Sequence, residues 1–376
     1  MGESGVALRS QSMLADGTAP SPCIHAERVG AATRNSTCDK ENTVSDQKLI
    51  RIDESMLEGA ISCEAGDGWI RPWRLPFEQR SLFPPEDGIQ ARAMMAAGVR
   101  LRFATDSSCL ALHLVPQAGA RCFDLTVGGE ILQTVTAEAS AGTVEFRDLP
   151  DGEQIYELWL PTNATVELCA LALAAMASFR VPSDPRLKWI TYGSSISHCG
   201  GATSPARAWP ATAARARSLN LTCLGYGGQC HIDGMVGLMI RDQPADLISL
   251  KLGINVQGSL GLRAYKPAII AMVQIIREKH RTTPIILVSP IISPPREDTP
   301  GGLGLSLNRM RAEMEDAWNR LVAAGDQNLY YVHGHKLFGE DLVADYLPDD
   351  LHPNGPGYEI MGVNAAEQAL DLVLTN

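Results

Sequence analysis

The chain has 376 residues, 45% of them hydrophobic, and a formal net charge of −11. That length accommodates two domains of ordinary size with sizeable cores. The acidic balance argues against nonspecific nucleic-acid binding and against anionic membrane surfaces, both of which need a basic face.

Nine cysteines, an odd number without a Cys-x-x-Cys pair, argue against a disulfide framework and a structural zinc site. Cys230-His231 has no partner pair at zinc spacing, so no metal is expected. Thiols in a reducing compartment, the cytoplasm, are the simpler expectation. The residues after Met1 lack the apolar run of a signal peptide, and Gly2 stands in a poor myristoylation context. The most apolar stretch, Leu168 to Ala177, is too short to span a bilayer.

Residues 1–47 are polar, rich in Gly, Ser, Thr and Asn, and without periodicity, which predicts a disordered tail. Residues 48–178 have a β texture. Gly98 to Phe103 alternates apolar and basic residues, and Cys109 to Leu114 alternates again. Cys122 to Val127, Gly142 to Phe146 and Gln154 to Leu160 follow between Gly and Pro turns. Short strands at regular spacing predict an antiparallel β-sandwich. Within it, Trp69 to Pro76 carries Arg71, Trp73 and Arg74 among prolines. Exposed, such residues make contacts to planar or anionic ligands; otherwise they pack and pair internally.

Residues 179–186 read as a linker, and residues 187–376 as a second domain. There, predicted strands at Leu187–Tyr192, Leu221–Leu224, Ala245–Leu252, Pro284–Val288 and Asn328–Val332 alternate with helical segments. Those segments are Ala206–Ser218, His231–Arg241, Ala264–His280, Leu305–Ala324 and Pro356–Leu374. This alternation predicts an α/β domain with a parallel sheet covered on both faces. Ser289 to Leu303 is a Pro/Gly-rich loop long enough to act as a lid or a substrate wall.

Four stretches of this domain carry chemistry. The first strand runs into Gly193-Ser194-Ser195, and a serine on a strand-to-helix turn is exposed at the carboxyl edge of the sheet. A helix is expected to open only near Pro205. A nucleophilic serine needs a base, and the base an acid that fixes its tautomer. Asp349 and His352, three residues apart before Pro353, supply such a pair. Gly225 to Gly228 can bring a backbone N–H close to a substrate oxygen. Asn255 ends a fourth stretch with a side-chain amide. His198 and His231 are rival bases by sequence position; His231 is expected to open a helix without a carboxylate partner, and both read as polar neighbours of the site.

Ser, Gly, Asn and His in that order resembles the SGNH (GDSL-type) hydrolase family over about Leu187 to Leu374. The resemblance implies a three-layer α/β/α, flavodoxin-like catalytic domain with no cofactor. It assigns Ser195 as nucleophile, His352 as base and Asp349 as acid. The backbone N–H groups of Ser195 and Gly228 and the Asn255 amide become the oxyanion hole. Two positions depart from the family pattern. Ser194 stands where Gly-Asp-Ser has its Asp, and Val256 follows Asn255 where Gly-x-Asn-Asp ends in Asp. An added β domain ahead of the SGNH domain resembles a two-domain branch that includes an acyltransferase. The expected reaction is acyl transfer from an ester or acyl-CoA to a small-molecule hydroxyl through an acyl-Ser195 intermediate. Hydrolysis of small-molecule or carbohydrate esters is the alternative, and a noncatalytic carbohydrate-binding protein the remote one.

Overall fold

The computed structural model describes residues 47–374; the predicted tail lies outside them except for Gln47, which opens the first strand. Eleven strands come first among the described residues: β1 (Gln47–Arg51), β2 (Leu57–Glu58), β3 (Ser62–Ala65), β4 (Ile70–Trp73), β5 (Arg100–Thr105), β6 (Leu110–Leu114), β7 (Arg121–Val127), β8 (Glu130–Ala137), β9 (Thr143–Phe146), β10 (Gln154–Trp159) and β11 (Leu168–Ala174). They form two antiparallel sheets. One runs β3-β4-β11-β6-β9 with β1 added on β11, and the other runs β2-β5-β10-β7-β8. Alternate residues of both sheets meet in one apolar core, among them Leu101, Phe103, Phe123, Leu125, Tyr156 and Leu158 from one side and Leu110, Leu112, Phe146, Leu171 and Leu173 from the other.

The remaining five strands, β12 (Lys188–Gly193), β13 (Asn220–Gly225), β14 (Leu247–Lys251), β15 (Ile285–Val288) and β16 (Leu329–Val332), are parallel in the order β13-β12-β14-β15-β16. This is the flavodoxin-type order, whose ligand crevice opens at the carboxyl end between the first and third strands. Helices Gly234–Asp242, Leu262–Arg277 and Leu307–Ala323 supply one covering layer. Trp209–Ala216 and Gly355–Ala365 supply the other. The predicted single helix from Pro356 to Leu374 is interrupted: a π-helical turn, Ala366–Leu370, follows Ala365 before a last turn at Asp371–Leu374.

The two lobes form one compact unit. The polar face of the second antiparallel sheet is buried against the parallel lobe instead of facing water. Arg100 is fully buried; its Nε donates to Glu157 (2.8 Å) and its Nη1 to Leu221 O (2.9 Å), while Nη2 donates to Asn220 Oδ1 (2.7 Å). Asp124 Oδ2 accepts from Ala206 N (2.7 Å). β13 is an edge strand of the parallel sheet, so its outward carbonyls need donors from elsewhere. Arg100 reaches Leu221 O, and Arg74 reaches Cys223 O (3.1 Å) and Gly225 O (2.6 Å). The first lobe thus closes the open edge of the second.

Candidate active site

β12 ends at Gly193, and the chain turns at once into a one-turn helix, Ser195–His198. The helix opens at the serine itself, about ten residues before the expected start near Pro205. Ser194 is its N-cap: the buried Oγ accepts from Ile196 N (3.3 Å). Cys199, at φ 57°, ends it. A Cβ at Gly193 would collide with Ser197 Oγ, so glycine lets the turn fold back over the strand end. Where the family places an aspartate, this chain has a helix cap.

The loop after β16 approaches this turn. Ser195 Oγ lies 2.8 Å from His352 Nε2, and His352 Nδ1 lies 2.7 Å from Asp349 Oδ2. Asp349 Oδ1 also accepts from Leu351 N (3.0 Å) and His352 N (2.6 Å). With Nδ1–H donating to the carboxylate, Nε2 is left to accept from the serine hydroxyl. Partial burial alone would raise the Asp349 carboxyl, but the hydrogen bonds from His352 and Leu351 outweigh it and hold the group below its ordinary range. The arrangement is open to water: the side chains of His352 and Asp349 are 37% and 54% exposed. Asn354 then caps the helix Gly355–Ala365 through its side-chain oxygen and Gly357 N (3.0 Å).

The glycine stretch follows β13. Gly228 adopts φ 73°, and a Cβ there would meet open space. Its carbonyl accepts from His231 Nε2 (3.1 Å). Asn255 Oδ1 accepts from Cys230 N (3.0 Å). That bond fixes the amide flip and leaves the Nδ2 donor free of it. Asn255 sits in a turn of 3₁₀ helix, Ile254–Val256, behind Gly253 at φ 133°. A Cβ on Gly253 would come within 2.6 Å of Pro290 Cγ.

His198 is 5% exposed; burial and the Arg74 charge push its pKa down to about 3. Its Nε2–H donates to Thr162 O (2.7 Å), and Nδ1 accepts from Gly227 N (3.4 Å). It is a neutral strut between the β lobe and the glycine loop. His231 precedes the helix Gly234–Asp242 instead of opening it, and its Nδ1 meets Ser259 Oγ (3.2 Å). Neither histidine side chain hydrogen-bonds to Ser195.

The reading of Trp69 to Pro76 as a ligand-contact segment is corrected for two of its three residues. The segment contains β4, paired with β3. Trp73 is 4% exposed, and its indole donates to Glu64 (3.0 Å). Arg74 is fully buried and spends its donors on four backbone carbonyls: Arg92 (2.5 Å), Met95 (2.7 Å), Cys223 and Gly225. Arg71 is half-buried and ion-paired with Glu64 and Glu167.

The Pro-rich loop after β15 contains a support with no sequence signal. Ser293 Oγ donates to Asp350 O (2.6 Å), and Asp350 holds φ 58° between Asp349 and His352. Arg311, 3% exposed, grips the same loop through Pro290 O (2.9 Å), Ile291 O (3.0 Å) and Glu297 (2.5 Å). Arg311 lies in a helix among other charged residues, and nothing in its neighbours marks it.

Comparison with known proteins places the chain in a family. A family model described as SsfX3, N-terminal domain, matches residues 56–168, and one described as GDSL-like lipase/acylhydrolase family matches residues 187–373. Among solved structures, the salicylyl-acyltransferase SsfX3 from a tetracycline biosynthetic pathway matches with a TM-score of 0.82 and 33% identity, covering 89% of this chain and 99% of that one. The chain belongs to the GDSL-like lipase/acylhydrolase family. A GDSL-like lipase-type protein from Bacteroides ovatus matches at 20% identity and a TM-score of 0.72, over 88% of this chain and 98% of that one. A family two carbohydrate esterase from Cellvibrio japonicus matches at 15% identity and 0.60, over 88% and 98%. These two carry the fold alone. No curated protein matches the chain significantly.

As a member of this family the chain is an enzyme of SGNH type, an acyl-transfer or ester-hydrolysing one. No helix among the described residues is long and apolar enough to cross a membrane. No group of three or more His, Cys, Asp or Glu among those residues is placed to hold a metal ion.

Proposed function

We propose that the protein is a serine acyltransferase that moves an acyl group from an ester or acyl thioester to a small-molecule hydroxyl. The observation that carries this reading is the continuous hydrogen-bonded chain Ser195–His352–Asp349. Ser195 Oγ attacks the donor carbonyl as its proton passes to His352 Nε2. The tetrahedral oxyanion is held by the N–H groups of Ser195 and Gly228 and by Asn255 Nδ2. Collapse expels the donor's alcohol or thiol, which takes the proton from His352. The acceptor hydroxyl then gives its proton to His352 and attacks acyl-Ser195, and Ser195 recovers that proton when the second intermediate collapses. Asp349 keeps His352 in the required tautomer throughout.

In this reading residues 48–178 are an accessory domain, 179–186 a linker and 187–376 the catalytic domain. Its partners are a small acyl donor and a small acceptor, with no bound cofactor. The buried free thiols Cys199, Cys223 and Cys230 support a reducing, cytoplasmic setting. Transfer to an alcohol is supported by the likeness to an acyltransferase along both domains. Hydrolysis is the second reading, favoured by the exposure of His352 and Asp349 to water.

The test is to incubate the protein with ester and acyl-CoA donors, first without an alcohol and then with one, beside Ser195→Ala. Mass spectrometry follows acyl-enzyme and products. A long-lived acyl-enzyme that turns over only with alcohol is the expected result. Rapid release of free acid without alcohol makes the protein an esterase. Equal acylation of Ser195→Ala removes the site assignment altogether.

A further inference from the structure

A cavity of about 250 Å³ lies where the two lobes and the segment between them meet. The β lobe lines it with Arg102, Thr126 and Glu157, the connecting segment with Arg186, and the parallel lobe with Arg215 and Ser218. Arg186 leads into β12 and Ser218 into β13, so the cavity sits at the amino edge of the parallel sheet. Ser195 follows the other end of β12, six residues along the strand, which is a separation of about 20 Å. The cavity is separate from the reacting groups.

Its charges do not balance. Glu157 accepts from Arg100 (2.8 Å) and Arg186 (3.1 Å). Asp184 accepts from Arg186 (2.9 Å) and stands 3.7 Å from Arg102. Four arginines, Arg100, Arg102, Arg186 and Arg215, against these two carboxylates leave an excess of two positive charges, in a chain whose formal net charge is −11. Arg186 spends all three nitrogens on Asp184 and Glu157. The other two lining arginines do not. Arg102 Nη1 donates to Pro182 O (2.8 Å) and Ser183 O (3.1 Å), and its Nη2 has no partner among the described residues. Arg215 donates from Nε to Ala206 O (3.1 Å) and from Nη1 to Gly129 O (2.6 Å), and its Nη2 likewise has none. Burial lowers the pKa of Arg215; Glu130, Asp124 and Glu359 act against that shift without forming an ion pair with it. Neither free Nη2 is sealed from water. Arg102 is only 7% exposed, and the opening that remains to it is the cavity it lines. Arg121 also has unpartnered nitrogens, Nε and Nη1, but both are closed off from water and cannot meet a ligand.

We propose that this cavity binds a phosphate group, held by Arg102 Nη2 from one lobe and Arg215 Nη2 from the other, with the Ser218 hydroxyl at the rim. Two guanidinium donors and a hydroxyl answer three phosphate oxygens, and a dianion matches the excess of two charges. The volume falls below the range of about 300–1,000 Å³ usual for drug-sized ligands, so the ligand is inorganic phosphate or a small phosphate monoester. Because its two arginines belong to different lobes, the bound ion fastens one lobe to the other. A ligand that binds only the folded chain raises its stability by mass action.

The experiment uses the full chain, freed of phosphate, with Arg215→Gln and Ser218→Asp. Equilibrium dialysis with radiolabelled phosphate measures binding, and thermal melts follow phosphate, acetate and chloride at one ionic strength. The expected result is saturable binding of one phosphate per chain. The melting temperature rises by about 3–8 °C at a hundredfold excess over the dissociation constant, and chloride and acetate give no comparable rise. Arg215→Gln weakens binding by about 10–100-fold, the range of a hydrogen bond to a charged group. Ser218→Asp places a carboxylate at an exposed rim position whose φ of 49° aspartate tolerates; it abolishes binding and covers the case in which the glutamine variant does not fold. Glycerol 3-phosphate run beside inorganic phosphate separates the two sources: the tighter binder is the ligand class. Absence of saturable binding to wild type overturns the proposal. So does a rise in melting temperature that chloride or acetate reproduces, or phosphate binding unchanged in a folded variant.

Discussion

Replacing Arg74 with methionine tests how the two lobes depend on each other. The guanidinium donates to Arg92 O and Met95 O in its own lobe and to Cys223 O and Gly225 O in the other. It also lies over the Tyr226 ring, 5.2 Å from the centroid, and Tyr226 Oη donates to Arg74 O (2.5 Å). Methionine fills most of the space but satisfies none of the four carbonyls. Burial already lowers the Arg74 pKa, so part of the loss is offset by no longer burying a charge. The net destabilisation is about 3–5 kcal/mol, the range for removing one side of a buried charged network. Gly225 leads into Gly228, so the glycine loop loosens as well, and on the proposed mechanism kcat falls by about 100-fold, the effect of a misplaced donor. Urea unfolding measures the first effect and ester turnover in the folded protein the second. A variant within about 1 kcal/mol of wild type, with unchanged kcat, would refute the claim that this arginine holds the edge strand and the loop.

On the proposed mechanism Asn255→Ala removes one oxyanion donor and should lower kcat by about 10²–10³-fold with little change in KM; steady-state kinetics on any accepted ester checks it. Because Cys230 N also loses its acceptor, a fall in Tm should accompany the rate loss. Ser293→Ala frees Asp350 O and should lower kcat by about tenfold through a looser His352, with the Ser195→Ala background as control. His198 has its pKa lowered to about 3 in the fold, against about 6.5 unfolded. The unfolded chain binds more protons between these values, so stability is complete above pH 6.5 and is lost as pH falls below it. Urea midpoints should therefore drop by about 1–2 kcal/mol equivalent between pH 7.5 and 5. His198→Asn should be weaker at pH 7.5 and flatter across the range; an equally steep dependence in the variant would exclude His198 as its source.

The parts of the site that could be read from the sequence are those whose geometry is local. Asp349 and His352 are three apart in a segment that Pro353 keeps out of helix, so their pairing follows from short-range chain geometry. The five parallel strands are short apolar runs, buried on both faces, and their order in the chain sets the order of the loops at the carboxyl edge. What was not readable depends on contacts distant in sequence. Alternation in Gly98 to Phe103 marks a polar face but not what covers it, and Arg100 turns out to lie fully buried on the other lobe. Arg74 reads like a ligand contact for the same reason: residue type gives hydrogen-bonding capacity, and only the fold says which carbonyls use it. The one-turn helix at Ser195 is too short to show periodicity. Strand β8 exposes Glu130, Leu132, Thr134 and Thr136, so its outward face mixes polar and apolar residues and blurs the alternation that would separate it from a loop.

The arginines on the edge of β13 also bear on self-association. A bare edge strand is a template for another chain, since its free carbonyls and N–H groups can pair with any extended segment. Leu221, Cys223 and Gly225 present their carbonyls to Arg100 and Arg74, so here the first lobe occupies the place an incoming strand would take. A catalytic lobe expressed alone from residue 187 would uncover this edge and should multiply into higher-order species, visible by light scattering. The β lobe then serves solubility as well as any substrate, and variants that weaken its docking should appear first as aggregates and only later as slow enzymes.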